Sequence, residues 1–306
     1  MEDRFAGIRE FVATVDTGSF TAASVLLGVT GSAIGKSISR LEKRLGVQLL
    51  HRTTRRIDLT NEGEGYLMSC RRVLEELEQA ESYLSTGHQK PRGRLRIDLP
   101  TTFGRRHIFP TLLELGLRYP ELDLSVELRD RPVDLVREGI DLAVRIGTVP
   151  DSSELIARRL GEQHLVICAS PDYLKRRGVP VSHADLSSHD CLTGWHQGQT
   201  HTWLLKNNKG NIEPMEVRSR HELTDGDVLL DACLAGSGLA QLPTWLAGQA
   251  LHTGALIQVF AGVSGGAMPI HVVWQKTWHL QPKVRVTVDV LMSLAAKNPS
   301  VFCTAS

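Results

Sequence analysis

The sequence predicts an α/β protein led by an all-α head, and three stretches predict it. Residues 19–60 hold two short helical segments around a glycine, with strand-like residues after them. From Glu62 to about Gln89 the chain reads as one long helix, and after Gly93 apolar strands alternate with helical segments. A chain of 306 residues exceeds what one hydrophobic core usually holds, so two or three domains are expected.

In the head, Ser19 is placed to cap a helix whose apolar side is Ala22, Ala23, Leu26 and Leu27. Gly28 breaks that helix. Thr30 is placed to cap a second one, with Ala33, Ile34, Ile38, Leu41 and Leu45 at helical spacing. The small Ala22 and Ala23 allow the two to approach closely. Two short helices around a tight glycine turn make a helix-turn-helix, whose second helix fits the major groove of double-stranded DNA. Its outward positions are Gly31, Ser32, Gly35, Lys36, Ser39 and Arg40. Val47–Leu50 and Arg56–Leu59 read as strands around His51, Arg52, Thr53 and Thr54, a basic wing. Residues 31–60 carry seven Lys or Arg against Glu42 and Asp58, although the whole chain is only +1. A local cationic face is what phosphate requires, and overall charge is not.

In the long helix, Tyr66, Cys70, Val73, Leu77, Ala80 and Leu84 recur in steps of four and three. That heptad seam points to a partner helix, with packing onto the head as the alternative. Residues 87–93 form a turn-rich hinge. Beyond it, Leu95–Leu99, Leu122–Leu128, Asp141–Ile146, Leu165–Ala169, Leu239–Leu242, Ile257–Phe260 and Ile270–Trp274 read as strands. Helices are expected over 108–118, 132–138, 171–177, 227–235 and 282–297. Such alternation predicts a parallel-type sheet, which binds ligands at strand carboxyl ends. Thr101 and Thr102 follow the first strand at a helix start, and Arg145 lies near the end of another. Together they offer hydroxyls, amides and a guanidinium to a carboxylate-bearing ligand.

No apolar run reaches the length of a membrane span, and the acidic start is not a secretory signal. The five cysteines are scattered without CxxC spacing, which suits reduced, mostly buried thiols in a cytoplasmic protein. His189, Cys191, His196 and His201 crowd one region but match no zinc pattern, so no metal is expected. There is no GxSxG elbow, phosphate-cradling GxxxxGK[ST] or paired-carboxylate motif; no enzyme activity and no cofactor are expected.

The segments SFTAAS, LLGVT, ISRLEKRLGVQLLHRTTRRIDLT and Gly63, together with DLAVRIG at 141–147, resemble the LysR-type transcriptional regulators over the whole chain. One departure is that Gly31 and Gly35 stand where the family usually carries polar side chains. The resemblance implies a winged helix-turn-helix over 1–61, a dimerisation linker helix over 62–89 and an effector-binding domain over 90–306. It implies that this last part is a two-lobed periplasmic-binding-protein-like sensor, lobe I about 92–164 and 268–306, lobe II about 165–267. Crossings between lobes are expected near 163–166 and 265–269. The implied DNA-binding residues are Thr30, Ser32, Lys36, Arg40, Arg52, Thr53, Arg55 and Arg56. Effector contacts are expected from Thr101, Thr102, Arg145, Trp195 and Asp225, and helix pairing from Tyr66, Val73, Leu77, Ala80 and Leu84. The expected partners are an interrupted palindromic operator, a small-molecule effector, further copies of the chain as dimer or tetramer, and RNA polymerase. The competing reading is a small-molecule-binding protein or enzyme with a vestigial head. The head's basic charges argue against it, since a pure solute binder has no use for them.

Overall fold

The computed structural model describes residues 5–52, 57–85, 90–131, 133–149, 152–194, 202–207, 209–261, 266–276 and 280–303. They fall into two compact units, Met1–Gln89 and Lys90–Ser306. Thr53, Arg55, Arg56, Trp195, His196 and His201 lie outside the described residues, as do the side chains of Arg52, Ala80 and Leu84.

The first unit begins with α1 (Ile8–Thr17), α2 (Phe20–Leu27) and α3 (Gly31–Leu45). An antiparallel pair follows, β1 (Leu50–Arg52) with β2 (Ile57–Leu59), and then α4 (Asn61–Ser85). Both expected caps form. The Ala22 amide donates to the Ser19 hydroxyl at 3.0 Å and the Ala33 amide to Thr30 at 3.3 Å, satisfying donors that a helix start leaves without partners. Phe11, Ile34, Ile38, Leu41, Leu49 and Leu50 form the core, closed by Leu67 and Cys70 from α4. Glu42 fastens α3 to the wing by accepting the Leu49 and Leu50 amides at 3.0 and 3.2 Å. Thr60 donates to the Gln48 carbonyl at 2.7 Å and accepts the Gly63 amide at 2.9 Å, which locks the turn into α4. Glycine is required at 63, where a Cβ would overlap the Leu49 carbonyl.

Several expectations for this unit need correction. Of the apolar side proposed for α2 only Ala23 is fully buried; Ala22 is exposed and Leu26 is 65% exposed. An eight-residue helix held along one edge turns its far side to water. On α3 Ala33 is exposed, and Leu45, at the last position, is 37% exposed. The first wing strand starts at Leu50, not Val47. Tyr66 and Cys70 pack into the head rather than onto a seam, with the Tyr66 and Phe11 rings 6.0 Å apart. A helix leaving a domain buries its first turns on that domain.

The second unit opens with β3 (Gly93–Leu99), then α5 (Thr101–Phe103), a π turn (Gly104–Ile108) and α6 (Phe109–Arg118) as one helical run. Next come β4 (Leu122–Leu128), β5 (Leu142–Ile146), β6 (Leu155–Ala169) and α7 (Pro171–Arg177). The chain continues through a 3-10 turn to β7 (Cys191–Thr193), β8 (Thr202–Lys206), β9 (Ile212–Glu216) and β10 (Ser219–Glu222). It closes with α8 (Gly226–Leu234), β11 (Leu239–Pro243), α9 (Thr244–His252), β12 (Ile257–Val259), β13 (Ala267–Gln275), α10 (Pro282–Lys297) and α11 (Pro299–Phe302).

The 15-residue strand β6 joins two lobes. Its first part, Leu155–His164, pairs with β13, and the sheet runs on through β5, β3 and β4. Its last part, Leu165–Ala169, pairs with β11 and β12, and that sheet runs on through β7 to β10. Each lobe has its own apolar core, around Ile97, Leu112 and Val272 in one and around Ile167, Tyr173 and Leu239 in the other. The sheets are mixed rather than parallel: β13 runs antiparallel to β5 and β6 in one lobe, and β11 and β12 run antiparallel to β6 in the other. Residues 133–140 make a turn rather than a helix: Asp134 draws the Val136 and Arg137 amides onto its own carboxylate. Four of the five free thiols are buried.

Candidate functional site

The two faces of α3 differ sharply in chemistry. Ile34, Ile38 and Leu41 point into the core, while Ser32, Lys36, Ser39, Arg40 and Lys43 are exposed. Ser32, Gly35, Lys36, Ser39, Arg40 and Lys43 line an open groove of about 520 Å³ along the outer face. Thr30 stands at its head, its hydroxyl 3.2 Å from that of Ser32. Arg44, counted with the basic face in sequence, turns the other way and donates to the Ala6 carbonyl at 3.2 Å. Arg52 occupies the end of β1, in register with Ile57. The basic side chains Lys36, Arg40 and Lys43 thus line the outer face of α3, and a helix with its side chains is about 10–12 Å across, matching a major groove about 12 Å wide. On α4, Val73 is half-buried and Leu77 is 41% exposed, beyond the turns that close the head.

In the second unit, the residues expected to hold an effector are largely engaged by the protein itself. Arg145 forms an ion pair with Asp98, which is fully buried on β3. Burial pushes the Asp98 carboxyl above its ordinary range, against the lowering effect of Arg145 and Arg129. A carboxylate of the chain itself thus already pairs with Arg145. The Thr101 amide donates to Asp130 at 3.0 Å, so a carboxylate of the chain already occupies that helix start. Thr102 is buried and accepts the Gly226 amide at 2.9 Å, tying the start of α5 to that of α8 across the lobes. Asp225 is the cap of α8 and accepts the Asp227 and Val228 amides at 2.8 and 3.1 Å.

Sequence reasoning missed the residues that reinforce this contact. Arg105 and Arg106 both pair with Asp227. Trp245 of α9 donates its indole N–H to Gln163 of β6 at 2.8 Å, and its ring meets those of Phe103 and His107 edge-on. Burial, and then the neighbouring Arg106, hold the His107 imidazole below its ordinary range. The adjacent Arg105 and Arg106 were a visible signal, but their partner lies more than a hundred residues away. Among the described residues no group of three His, Cys, Asp or Glu could hold a metal, and no helix is long and apolar enough to cross a membrane.

Residues 5–64 match the bacterial regulatory helix-turn-helix protein of the lysR family, and residues 88–296 match the LysR substrate binding domain. A transcriptional repressor of the HTH type from Pseudomonas aeruginosa (strain UCBPP-PA14) is 35% identical over 99% of this chain and 95% of its own length. The regulator DmlR of Escherichia coli (strain K12) is 35% identical over 95% of this chain and 94% of its own. Among solved structures, CrgA, a LysR-type transcriptional regulator from Neisseria meningitidis, superposes with a TM-score of 0.60 at 31% identity, covering 94% of this chain and 98% of that one.

Proposed function

The chain belongs to the LysR family of transcriptional regulators, and from that membership we propose how its own residues divide the work. It is a sequence-specific DNA-binding regulator, not an enzyme, that responds to a small-molecule effector and forms oligomers. In our reading α3 enters the major groove with Ser32 and Lys36 toward base edges. Thr30, Arg40 and the wing residues Arg52, Thr53, Arg55 and Arg56 meet the phosphates. The observation that carries this reading is the opposition of faces on α3, apolar inward and cationic outward. Val73, Leu77, Ala80 and Leu84 are proposed to pair two copies of α4, and two such dimers to form a tetramer. RNA polymerase is the proposed neighbour at the promoter.

For the effector, the Thr101 hydroxyl between the lobes is the proposed first contact. A carboxylate ligand would compete with Asp130 for the Thr101 amide, while Arg145 and Asp225 serve the fold. Trp195, outside the described residues, remains a proposed effector contact. Binding would act by favouring one spacing of the lobes, a population shift limited by the difference in affinity for the two.

A hydroxyl-radical footprint on DNA upstream of the chain's own gene tests the paired-head reading. Two protected half-sites related by a dyad are expected, their centres separated by whole helical turns of about 10–10.5 bp. A single protected site, or two at arbitrary spacing, would refute the proposed pairing.

A further inference from the structure

We propose that Gly35 sets how closely α3 approaches the base edges, and through that distance which bases Ser32 and Lys36 reach. The inference rests on the DNA-reading role of α3 and asks why a glycine stands in its middle. Glycine inside a helix loses more backbone entropy than alanine and weakens the helix. At Gly63 of α4 such a residue has an internal reason, since a side chain would collide with the Leu49 backbone. Gly35 has no such reason, because a Cβ built there would meet nothing within 4 Å. Nor does its backbone take up the left-handed conformation that favours glycine, since it lies within a regular helix.

What the missing side chain leaves is a hollow on the outer face. Gly35 lies in the groove with Ser32, Lys36, Ser39, Arg40 and Lys43 around it. One turn on, the Ser39 hydroxyl folds back and donates to the Gly35 carbonyl at 2.8 Å, so that neighbour adds little height. A helix with side chains is about 10–12 Å across, close to the width of the major groove, and leaves little slack. A bare position at the centre of the reading face lets the backbone settle nearer the groove floor. A methyl group there would hold Ser32 and Lys36 back from bases they otherwise reach.

Fluorescence anisotropy with the full chain tests this, using the chain's own upstream duplex and a scrambled duplex of equal length. Gly65 of α4 supplies the control, because it too is a helix-interior glycine with nothing within 4 Å of an added Cβ. Both Gly35→Ala and Gly65→Ala are expected to keep or raise the thermal midpoint. Only Gly35→Ala should weaken binding to the upstream duplex, by at least about tenfold, with binding to the scrambled duplex and its salt dependence unchanged. Gly35→Ser should follow Gly35→Ala. Unchanged affinity in Gly35→Ala, equal loss on both duplexes, a lowered midpoint, or full affinity in Gly35→Ser would each overturn the proposal. A parent protein that does not prefer the upstream duplex would instead remove the DNA-reading role itself, a result visible before any variant is compared.

Discussion

Replacing Arg145 with Ala should destabilise the second unit by about 3 kcal/mol or more, because it strands the Asp98 carboxylate in a fully buried position. The loss comes mainly from the buried charge left behind, not from the attraction removed. Arg129 remains 3.5 Å from Asp98 but also serves Glu127 and Glu138, so it compensates only in part. The pH dependence follows from the direction of the Asp98 shift. Its folded-state value already lies above the ordinary carboxyl value, so its contribution is favourable below that ordinary value and is lost as pH rises through the folded value. Removing Arg145 raises the folded value further. The stability difference between Arg145→Ala and the parent should therefore be larger at about pH 7 than at about pH 4.5 in urea unfolding. The double change Asp98→Leu with Arg145→Met, which deletes both charges, should recover most of the loss. A stable Arg145→Ala protein that has lost only its effector response would mean that the guanidinium contacts ligand instead.

Gly63→Ala should be comparably severe, on the order of 4 kcal/mol, and confined to the first unit. The added Cβ would overlap the Leu49 carbonyl, an atom fixed by its own hydrogen bond from the Thr60 amide at 3.0 Å. Neither side can give way easily, since Leu49 is buried and Thr60 holds the turn. The first turns of α4 would lift off, exposing Leu67 and Cys70. Hydrogen exchange should show lost protection in α1, α3 and the start of α4, with protection in residues 90–306 kept. Specific DNA binding should disappear with it. Parent-like exchange in the head would show that the contact relaxes at little cost.

Much of this molecule was legible because its signals are local. The caps at Ser19 and Thr30, the apolar row Ile34, Ile38 and Leu41, and the last long helix at 282–297 follow from spacing within a few turns. What stayed hidden depends on partners distant in sequence. Nothing near Arg145 announces Asp98, and nothing near Thr102 announces Gly226. The first half of β6, with exposed Arg158, Arg159 and neighbours, lacks a clean apolar alternation, and β7 to β10 are short with β9 and β10 mostly exposed. The exposed side of α2 shows the converse failure: apolar spacing marks a helix, but only its neighbours decide how much of it is covered.

The cationic outer face of the head is proposed to carry DNA binding, and the salt dependence of binding to the upstream duplex tests that face most directly. The log of affinity should fall linearly with the log of salt concentration, by roughly 0.9 for each phosphate neutralised, and Arg52→Ala should flatten the slope by about one for each bound head. Lys36→Ala should also erode the preference for upstream over scrambled DNA. Binding that does not weaken with salt, or a slope unmoved by either substitution, would contradict the assignment of α3 and the wing to DNA.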